Sequence, residues 1–590
     1  QVNWPTVQAG IKSFYLTNSP EEIAQIRRQW KSELFVHPMS DWHLHSDFTN
    51  GRPDRGRITF VWLFGIIGGF VLLLAAINFM NLSTARSEKR SREVGIRKAI
   101  GSVRSQLIGQ FFTESLLVSG FAFVLSIVLV VSVLPFFNQM ADKQISVLWL
   151  NPVYWLSGLA FILLTGLIAG SYPALYLSSF QPIRVLKGTL RTGRWAAVPR
   201  KTLVVVQFTV SVTLIAGTLV VYRQIEHARS RPVGYDRQGL LTVPLNDPAY
   251  KSKYPVLKRE LLRTGVVSQM ALSDSPLTEI RNISGGFTWQ GKDPEAEAGF
   301  VTVDITPDFG RMSGWRLLAG REFSTAYSTD SSGIILNETA ARRILSHGTQ
   351  NGNRHSSLPE SSLQGLLGQT IKYEDNSRSW HVVGIVSDLL MSSPYEPTQG
   401  TFYFMDANGQ RSDYMTIKIK PTVSASSALP KIESVIKAIA PSAVFDYRFV
   451  DAEYARKFSA EQRIGQLSLG FAVLAVFLSC LGLFGLVSFT AEQRRKEIGI
   501  RKVLGADVWN LWSLLCKDFV GLVILACLLA APFAWYVMDQ WLEKYTYRTS
   551  LSGWVFAVSG LGALLITLLT VSYHALKAAL ADPVKSLRTE

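Results

Sequence analysis

Seven stretches of this chain run for twenty residues or more without a charge: Ile58–Phe79, Ser115–Phe137, Pro152–Ile183, Thr202–Tyr222, Ile464–Ala491, Phe519–Met538 and Thr549–Tyr573. At 1.5 Å per residue, about 20 apolar residues cross the hydrocarbon core of a bilayer. Helices of soluble proteins average about 11–12 residues, so seven overlong ones exclude a soluble fold. Charged residues make up only 18% of the 590, against about 25% in an ordinary soluble chain. The expected class is a polytopic α-helical membrane protein with about seven spans. Residues 1–56 are mixed and polar, with no apolar run that would read as a signal peptide.

The net charge of +16 would by itself admit nucleic acid or a membrane surface as partner. Its distribution excludes nucleic acid. Four segments, 80–110, 179–201, 488–513 and 576–590, hold 21 basic and 7 acidic residues. Nearly all of the excess therefore sits in the loops that alternate to one side of the spans. Positive short loops mark the cytoplasm, which places residues 1–57 outside and the C-terminus inside. The 241 residues of 223–463 lie outside.

The chain repeats itself. Arg92–Gly101 reads REVGIRKAIG and Lys496–Gly505 reads KEIGIRKVLG, an offset of 404 with six of ten positions identical. After the third span of each set, Ser171, Tyr172, Ala174, Leu175 and Pro182 match Ser572, Tyr573, Ala575, Leu576 and Pro583 at an offset of 401. The unit is span, basic segment, span, short outer loop, span, tail. It occurs twice in one orientation, which implies a pseudo-two-fold axis along the membrane normal. A span and a large outer domain precede the second unit, whereas 57 residues precede the first. The duplication predicts a further span and outer domain upstream of Gln1. Ile23–Trp30 reads as a helix and Trp42–Phe48 as a strand, both as the tail of such a domain.

Within the repeated segment, Ile96, Ile100, Val103 and Leu107 recur at helical spacing, as do Ile500, Leu504, Val508 and Leu511. This predicts an amphipathic helix just after a span. Gly95 and Gly101, and Gly499 and Gly505, bracket each copy as turn or close-approach positions. One reading lays the helix among lipid headgroups with its Lys and Arg snorkelling. The other docks it on a cytoplasmic partner. The near-identical second copy favours docking, because lipid does not demand one sequence twice.

These segments, EVGIRKAIG and EIGIRKVLG, resemble the signature of the FtsX/MacB-type ABC transporter permeases. VTVDITPDFGRMSGWRLLAGREFS (301–324), IILNETAARRIL (334–345), LLGQTI (366–371) and HVVGIVSD (381–388) are similar to the MacB-like periplasmic core domain. The resemblance implies five parts: 1–57 the remnant of a first periplasmic domain, 58–200 a first three-helix unit, 201–223 a lone span, 224–463 a periplasmic core domain, and 464–590 a second three-helix unit. It implies a bacterial inner-membrane permease subunit that passes the motion of a cytoplasmic ATPase dimer to the periplasmic domain, for efflux or for lipoprotein and envelope handling. A periplasmic adaptor and an outer-membrane duct are further implied partners, and no cofactor is. Glu93, Gly95, Arg97, Lys98 and Gly101, with Glu497, Gly499, Arg501, Lys502 and Gly505, would contact the ATPase.

No Gly-x-x-x-x-Gly-Lys-Ser/Thr loop occurs, so nucleotide is expected on a partner and the chain is not expected to be an enzyme. Cys480, Cys516 and Cys527 read as small core residues. His43 and His45 beside Asp41 and Asp47 would share a strand face, but a surface strand is the better reading than a metal site. Glu114 and Asp518 match at the repeat offset; lying near span ends, they read as helix-start residues rather than a proton relay. Gly65-x-x-x-Gly69 and Gly166-x-x-x-Gly170 would permit close helix packing. The outer segment alternates strands (240–243, 299–305, 333–336, 381–386, 401–404, 414–420) with helices (254–264, 338–345, 428–440), an α+β domain. Residues 347–362 read as a mobile loop. Two other functions remain open: a membrane-anchored sensory receptor, and a proton-driven secondary transporter.

Overall fold

The computed structural model describes residues 58–178, 198–293, 299–346, 360–373 and 377–580, with short stretches before residue 58. The helix expected over Ile23–Trp30 and nearly all of the loop expected over 347–362 lie outside them. Of that loop, residues 360–362 open a short helix, Glu360–Gln364.

Among the described residues, seven helices are long and apolar enough to span a membrane. They are α1 (Ile58–Ala99), α2 (Arg104–Ala141), α3 (Pro152–Ser178), α4 (Val198–Arg229), α9 (Ser459–Gln493), α11 (Val508–Leu542) and α12 (Gly553–Leu580). Between α4 and α9 come α5 (Tyr254–Arg263), α6 (Glu338–Leu345), α7 (Ala425–Ile439) and α8 (Val450–Arg456). A short helix, α10 (Arg495–Val503), lies between α9 and α11. The chain divides into two compact units: 1–216, 468–533 and 556–590 form a membrane unit, and 217–467 with 534–555 form a second unit that includes the α+β domain.

In the membrane unit the spans pack through small residues. A methyl on Gly158 would lie 2.6 Å from Phe123, on Gly166 2.7 Å from Leu116, and on Gly170 2.8 Å from Ser115. The glycines of α3 therefore bring it against α2, as the Gly166–Gly170 spacing predicts. Gly65 and Gly69 do not act this way: no atom stands within 4 Å of the corresponding methyl, and both lie on the exposed face of α1. In the second repeat, Val204, Phe208 and Val212 of α4 pack with Leu483 and Val487 of α9, Leu515, Phe519 and Val523 of α11, and Val571 of α12.

The α+β domain is built on one twelve-stranded mixed sheet. Its strands are β1 (Leu240–Pro244), β2 (Val267–Ser273), β3 (Ile283–Ser284), β4 (Phe287–Trp289), β5 (Phe300–Ile305), β6 (Leu317–Gly320), β7 (Gly333–Asn337), β8 (Thr370–Tyr373), β9 (Ser379–Val386), β10 (Thr401–Met405), β11 (Tyr414–Ile419) and β12 (Arg448–Phe449). The path runs β12-β1-β11-β2-β5-β10-β7-β9-β8-β4, with β3 beside β5 and β6 beside β9. β5 pairs parallel with β10, and β7 with β9. All six expected strands are present within a residue or two. β2 was not expected, because VSQMALS mixes polar and apolar residues without clean alternation. Three buried clusters cover the sheet: one under α5 and α7 (Leu257, Leu261, Ile432, Ile436), one under α6 (Ala340, Ile344, Phe402), and one where Leu240, Val303, Val386 and Tyr403 pack with Val450 and Tyr454 of α8.

Before residue 58 the expected strand Trp42–Phe48 is absent. Met39–Asp41 is a 3-10 turn, and the Asp41 carbonyl accepts from both Leu44 and His45. That turn takes His43 and His45 off any shared strand face, and strand pairing starts only at Phe48. Among the described residues no three His, Cys, Asp or Glu side chains are placed to hold a metal ion.

Candidate functional site

The two repeated segments fold differently and end alike. In the first copy there is no separate helix: Arg92–Ala99 is the last part of the 42-residue α1. In the second, the chain leaves α9 at Arg494 and starts afresh as α10. Arg494 donates to Asp518 of α11 at 3.0 Å. The first-copy counterpart of Asp518 is Glu114, which accepts from Gln110 at 3.3 Å, while Gln110 accepts from Arg97 at 2.7 Å. Gln110 has Leu514 as its counterpart, so the second copy lacks the amide that links Arg97 to the acid. Its Arg501 bonds Glu497 instead, at 2.8 Å.

Both segments then close with one turn. Gly101 N–H donates to the Lys98 carbonyl and Ser102 N–H to Arg97; Gly505 N–H donates to Lys502 and Ala506 N–H to Arg501. This is the Schellman pattern of a helix C-terminus. Gly101 and Gly505 sit at φ +107° and +91° with empty space around them, so glycine is required there by backbone conformation. Gly95 and Gly499 do not bracket anything: both lie inside helices. Glu93 is helical too, but its side chain lies outside the description. Burial, then the like charge of Arg104, lowers the Lys98 pKa. Leu107 and Leu511 are buried as expected, whereas Ile100 is 82% and Leu504 80% exposed. Each copy thus presents a group of exposed apolar side chains around a glycine turn (Ile96, Ile100 and Val103; Ile500, Val503 and Leu504), the most exposed of them, Ile100 and Leu504, standing at the tip beside Arg97 and Lys98 or Arg501 and Lys502.

A second arrangement, unread in the sequence, lies within the unit that includes the α+β domain. The buried Gln224 amide near the end of α4 reads the loop between α11 and α12 in both senses. Its Nε2 donates to the Tyr547 carbonyl at 2.9 Å, and its Oε1 accepts from Thr549 N–H at 2.8 Å. His227 stacks on the Tyr547 ring at 4.5 Å, and Arg231 lies over it at 4.5 Å. The Arg231 guanidinium also donates to the carbonyls of Pro394 and Glu396 and to the Thr398 hydroxyl. Tyr547 N–H donates to the Tyr395 carbonyl, and Tyr395 packs on Tyr545 and Phe458. Lys457 donates to the carbonyls of Met391 and Ser392; burial lowers its pKa to about 8.

The segment 388–398 is thereby clamped between helix ends, and the sheet holds it from the other side. Asp388 accepts from the N–H and hydroxyl of Thr339 at the start of α6. Asn337, at the end of β7, bonds Gln399 and Thr401. Gly234, at φ +80°, lets the chain pass the Asp388 carbonyl, where a methyl would lie 1.9 Å away. A continuous run of hydrogen bonds and ring contacts therefore joins the helix ends to β7 and α6.

Where β2 and β5 end, three carboxylates gather. Asp274 is 7% exposed and accepts from Asn282, but its Oδ1 has no partner. Asp304 pairs with Arg411, and Asp406 accepts from Arg411 N–H and the Ser412 hydroxyl. Burial, opposed in part by Asn282 and assisted by Asp304, raises Asp274 from 3.8 to about 6. The native state then binds a proton that the unfolded chain releases, so this contribution to stability is present below about pH 4 and lost as pH rises to about 6. Asp274→Asn should remove that dependence and stabilise the chain at about pH 7 by up to about 3 kcal/mol. Urea unfolding of the full chain, followed by tryptophan fluorescence at about pH 4.5 and about pH 7, checks this. Lower stability of the variant at the higher pH contradicts it.

Comparison with known proteins gives two family matches: the FtsX-like permease C-terminal family over residues 65–182 and 469–583, and the MacB-like periplasmic core domain over 204–435. A macrolide export ATP-binding/permease protein MacB of Marinobacter nauticus is 28% identical over 180 residues, 29% of this chain and 27% of that protein. An uncharacterized ABC transporter permease, YknZ of Bacillus subtilis, is 28% identical over 137 residues, 22% of this chain and 33% of that protein. The chain thus covers about a quarter to a third of these relatives' lengths. The crystallised periplasmic region of MacB from Actinobacillus actinomycetemcomitans matches 38% of this chain and 94% of its own at 15% identity, with a TM-score of 0.25.

Proposed function

The chain belongs to the FtsX/MacB-type permeases of ABC transporters, and from that membership we propose that it transmits the ATP-driven motion of a separate cytoplasmic ATPase pair to its α+β domain. One observation carries the reading: the same apolar tip on the same glycine turn, Ile100–Gly101 and Leu504–Gly505, stands exposed twice. Two equivalent tips suit a two-fold ATPase dimer, one per subunit. The basic side chains beside them supply steering and orientation.

The tips, the C-terminus and the positive loops face the cytoplasm, and the α+β domain faces the periplasm. ATP stays on the partner subunit, and this chain performs no hydrolysis. Movement of α4 and α9 reaches the sheet through Gln224, Arg231, Lys457 and the clamped segment 388–398. The cargo is an exported small molecule or peptide, or a lipoprotein, handled on the periplasmic side with an adaptor and an outer-membrane duct. A proton-driven carrier would need acids deep in the spans, and the one candidate pair, Glu114 and Asp518, is engaged by Gln110 and Arg494.

The test is purification of the full chain from its native membrane. An ATPase subunit should co-purify, with turnover that rises on reconstitution with this chain. A thiol reagent impermeant to the membrane should label Ile100→Cys and Leu504→Cys from the cytoplasmic side only. Labelling from the other side, or turnover indifferent to this chain, contradicts the reading.

A further inference from the structure

At the repeat offset of 404, Asn78 corresponds to Gly482 and Asn81 to Gly485. The structure brings Asn78 to Gly482 and sets Leu82, the residue after Asn81, on Gly485. A methyl on Gly482 would lie 3.0 Å from Asn78 Oδ1, and one on Gly485 would lie 2.1 Å from Leu82. Nearer the other end of the same two helices, Phe64 stacks on Phe471 with centroids 6.0 Å apart. Subtracting the offset, 78 meets 78, 82 meets 81 and 64 meets 67. Helices α1 and α9 therefore run parallel, nearly in register, against the pseudo-two-fold axis. Strict symmetry would put one residue type on both sides. Instead one helix carries amides and the other glycines.

The amides are left unsatisfied. Asn81 is wholly buried, and neither of its side-chain polar atoms has a hydrogen-bond partner; Asn78 Oδ1 has none either. Neighbouring polar groups between α4 and α9 are paired: Gln207 Nε2 donates to the Leu478 carbonyl, and the Ser211 and Ser479 hydroxyls bond at 2.8 Å. An unpaired buried amide is unfavourable, and it marks either a ligand or an arrangement that is one of two. Glycines opposite it favour close approach; the amides favour separation and hydration.

We propose that α1 and α9, where Asn78 meets Gly482, Leu82 meets Gly485 and the buried Asn81 lies unpaired between these contacts on α1, form a two-state clasp on the pseudo-two-fold axis, closed here, whose opening gives the amides water or carbonyl partners. The clasp is the pivot about which the two repeats move, and in this it rests on the transmission reading above. Glycine packing holds the closed state, and the unpaired amides keep it from being a dead end. Replacing an amide by an apolar side chain of similar size biases the pivot shut.

The experiment uses the full chain reconstituted with its ATPase, comparing Asn81→Leu with wild type. The expected result is a higher thermal midpoint together with stimulated turnover lower by about fivefold or more. A lower midpoint overturns the proposal, because the amide would then be paired in the bilayer. A raised midpoint with unchanged turnover also overturns it, since the contact would be static. A second variant, Asn78→Cys with Gly482→Cys, should cross-link readily at rest and less in the presence of a non-hydrolysable nucleotide. Equal yield in both conditions overturns the clasp, even where turnover is measurable. Absence of any stimulated turnover in wild type is a failure of the transmission reading. The cross-linking yield across membrane tensions or lipid compositions then judges the clasp alone, and a constant yield sinks it.

Discussion

Replacing Ile100 and Leu504 together by aspartate should leave the permease folded and strip it of its ATPase. Both side chains are about four-fifths exposed, and exposed substitutions of this kind cost within about 0.5 kcal/mol of stability. The glycine turns behind them stay intact. If each tip is buried in a pocket on the partner, each loses about 1.5–3 kcal/mol of apolar transfer, and a carboxylate brought into that pocket adds a desolvation cost. Two tips lost together lower affinity by about a hundredfold or more. Either single variant should keep a weakened complex, because the other tip still docks. Co-purification and stimulated turnover measure this. Full stimulation by the double variant would return these helix ends to a headgroup role.

The second large effect belongs to the clamp on segment 388–398. Arg231→Ala removes three hydrogen bonds and the contact over Tyr547. It leaves the half-buried Pro394 carbonyl without its donor, at about 1–3 kcal/mol, gives the exposed Glu396 carbonyl to water, and loses about 0.5–2 kcal/mol of cation–π attraction. Hydrogen exchange in 388–398 should speed up by about a hundredfold, while ATPase docking persists. The variant should therefore hydrolyse ATP on command and deliver no work to the α+β domain. Tyr547→Phe keeps the ring and the main-chain bonds and should behave as wild type. Transport or cargo release that survives Arg231→Ala would place the transmission elsewhere.

How much of this was legible beforehand depended on what kind of force does the holding. The spans and their number follow from uncharged length, a property of the solvent more than of the neighbours. The sheet strands with β-branched runs, such as IILN and HVVGIV, declare themselves for the same reason. The repeat exposed the Ile100 and Leu504 tips, because a pair of nearly identical segments is information that one segment lacks. It also misled: equal sequence suggested equal helices, yet Arg494 breaks the second copy and Arg90 does not break the first. The acids that follow are met differently as well: Asp518 pairs with Arg494, whereas Glu114 accepts from Gln110, whose counterpart is Leu514.

The clamp was invisible for a different reason. Gln224, Tyr395, Lys457 and Tyr547 come from four separate segments, and no periodicity links them. The one available hint was the aromatic and charged character of WLEKYTYR, which its first-copy counterpart does not share. Asn78 and Asn81 were readable as positions but not as a site: only the contacts of Asn78 with Gly482 and of Leu82 with Gly485 show that the repeat offset falls on a contact between the two halves. His43 and His45 went the other way, since a turn anchored on the Asp41 carbonyl cancelled the strand that gave them meaning.

The most direct measurement is photo-cross-linking from the two glycine turns in native membranes. A photoreactive side chain at Ile100, and separately at Leu504, should capture one and the same nucleotide-binding ATPase, with yield that changes when ATP is supplied. Capture of lipid alone at both positions, with no protein adduct under any nucleotide condition, would contradict transmission through these segments.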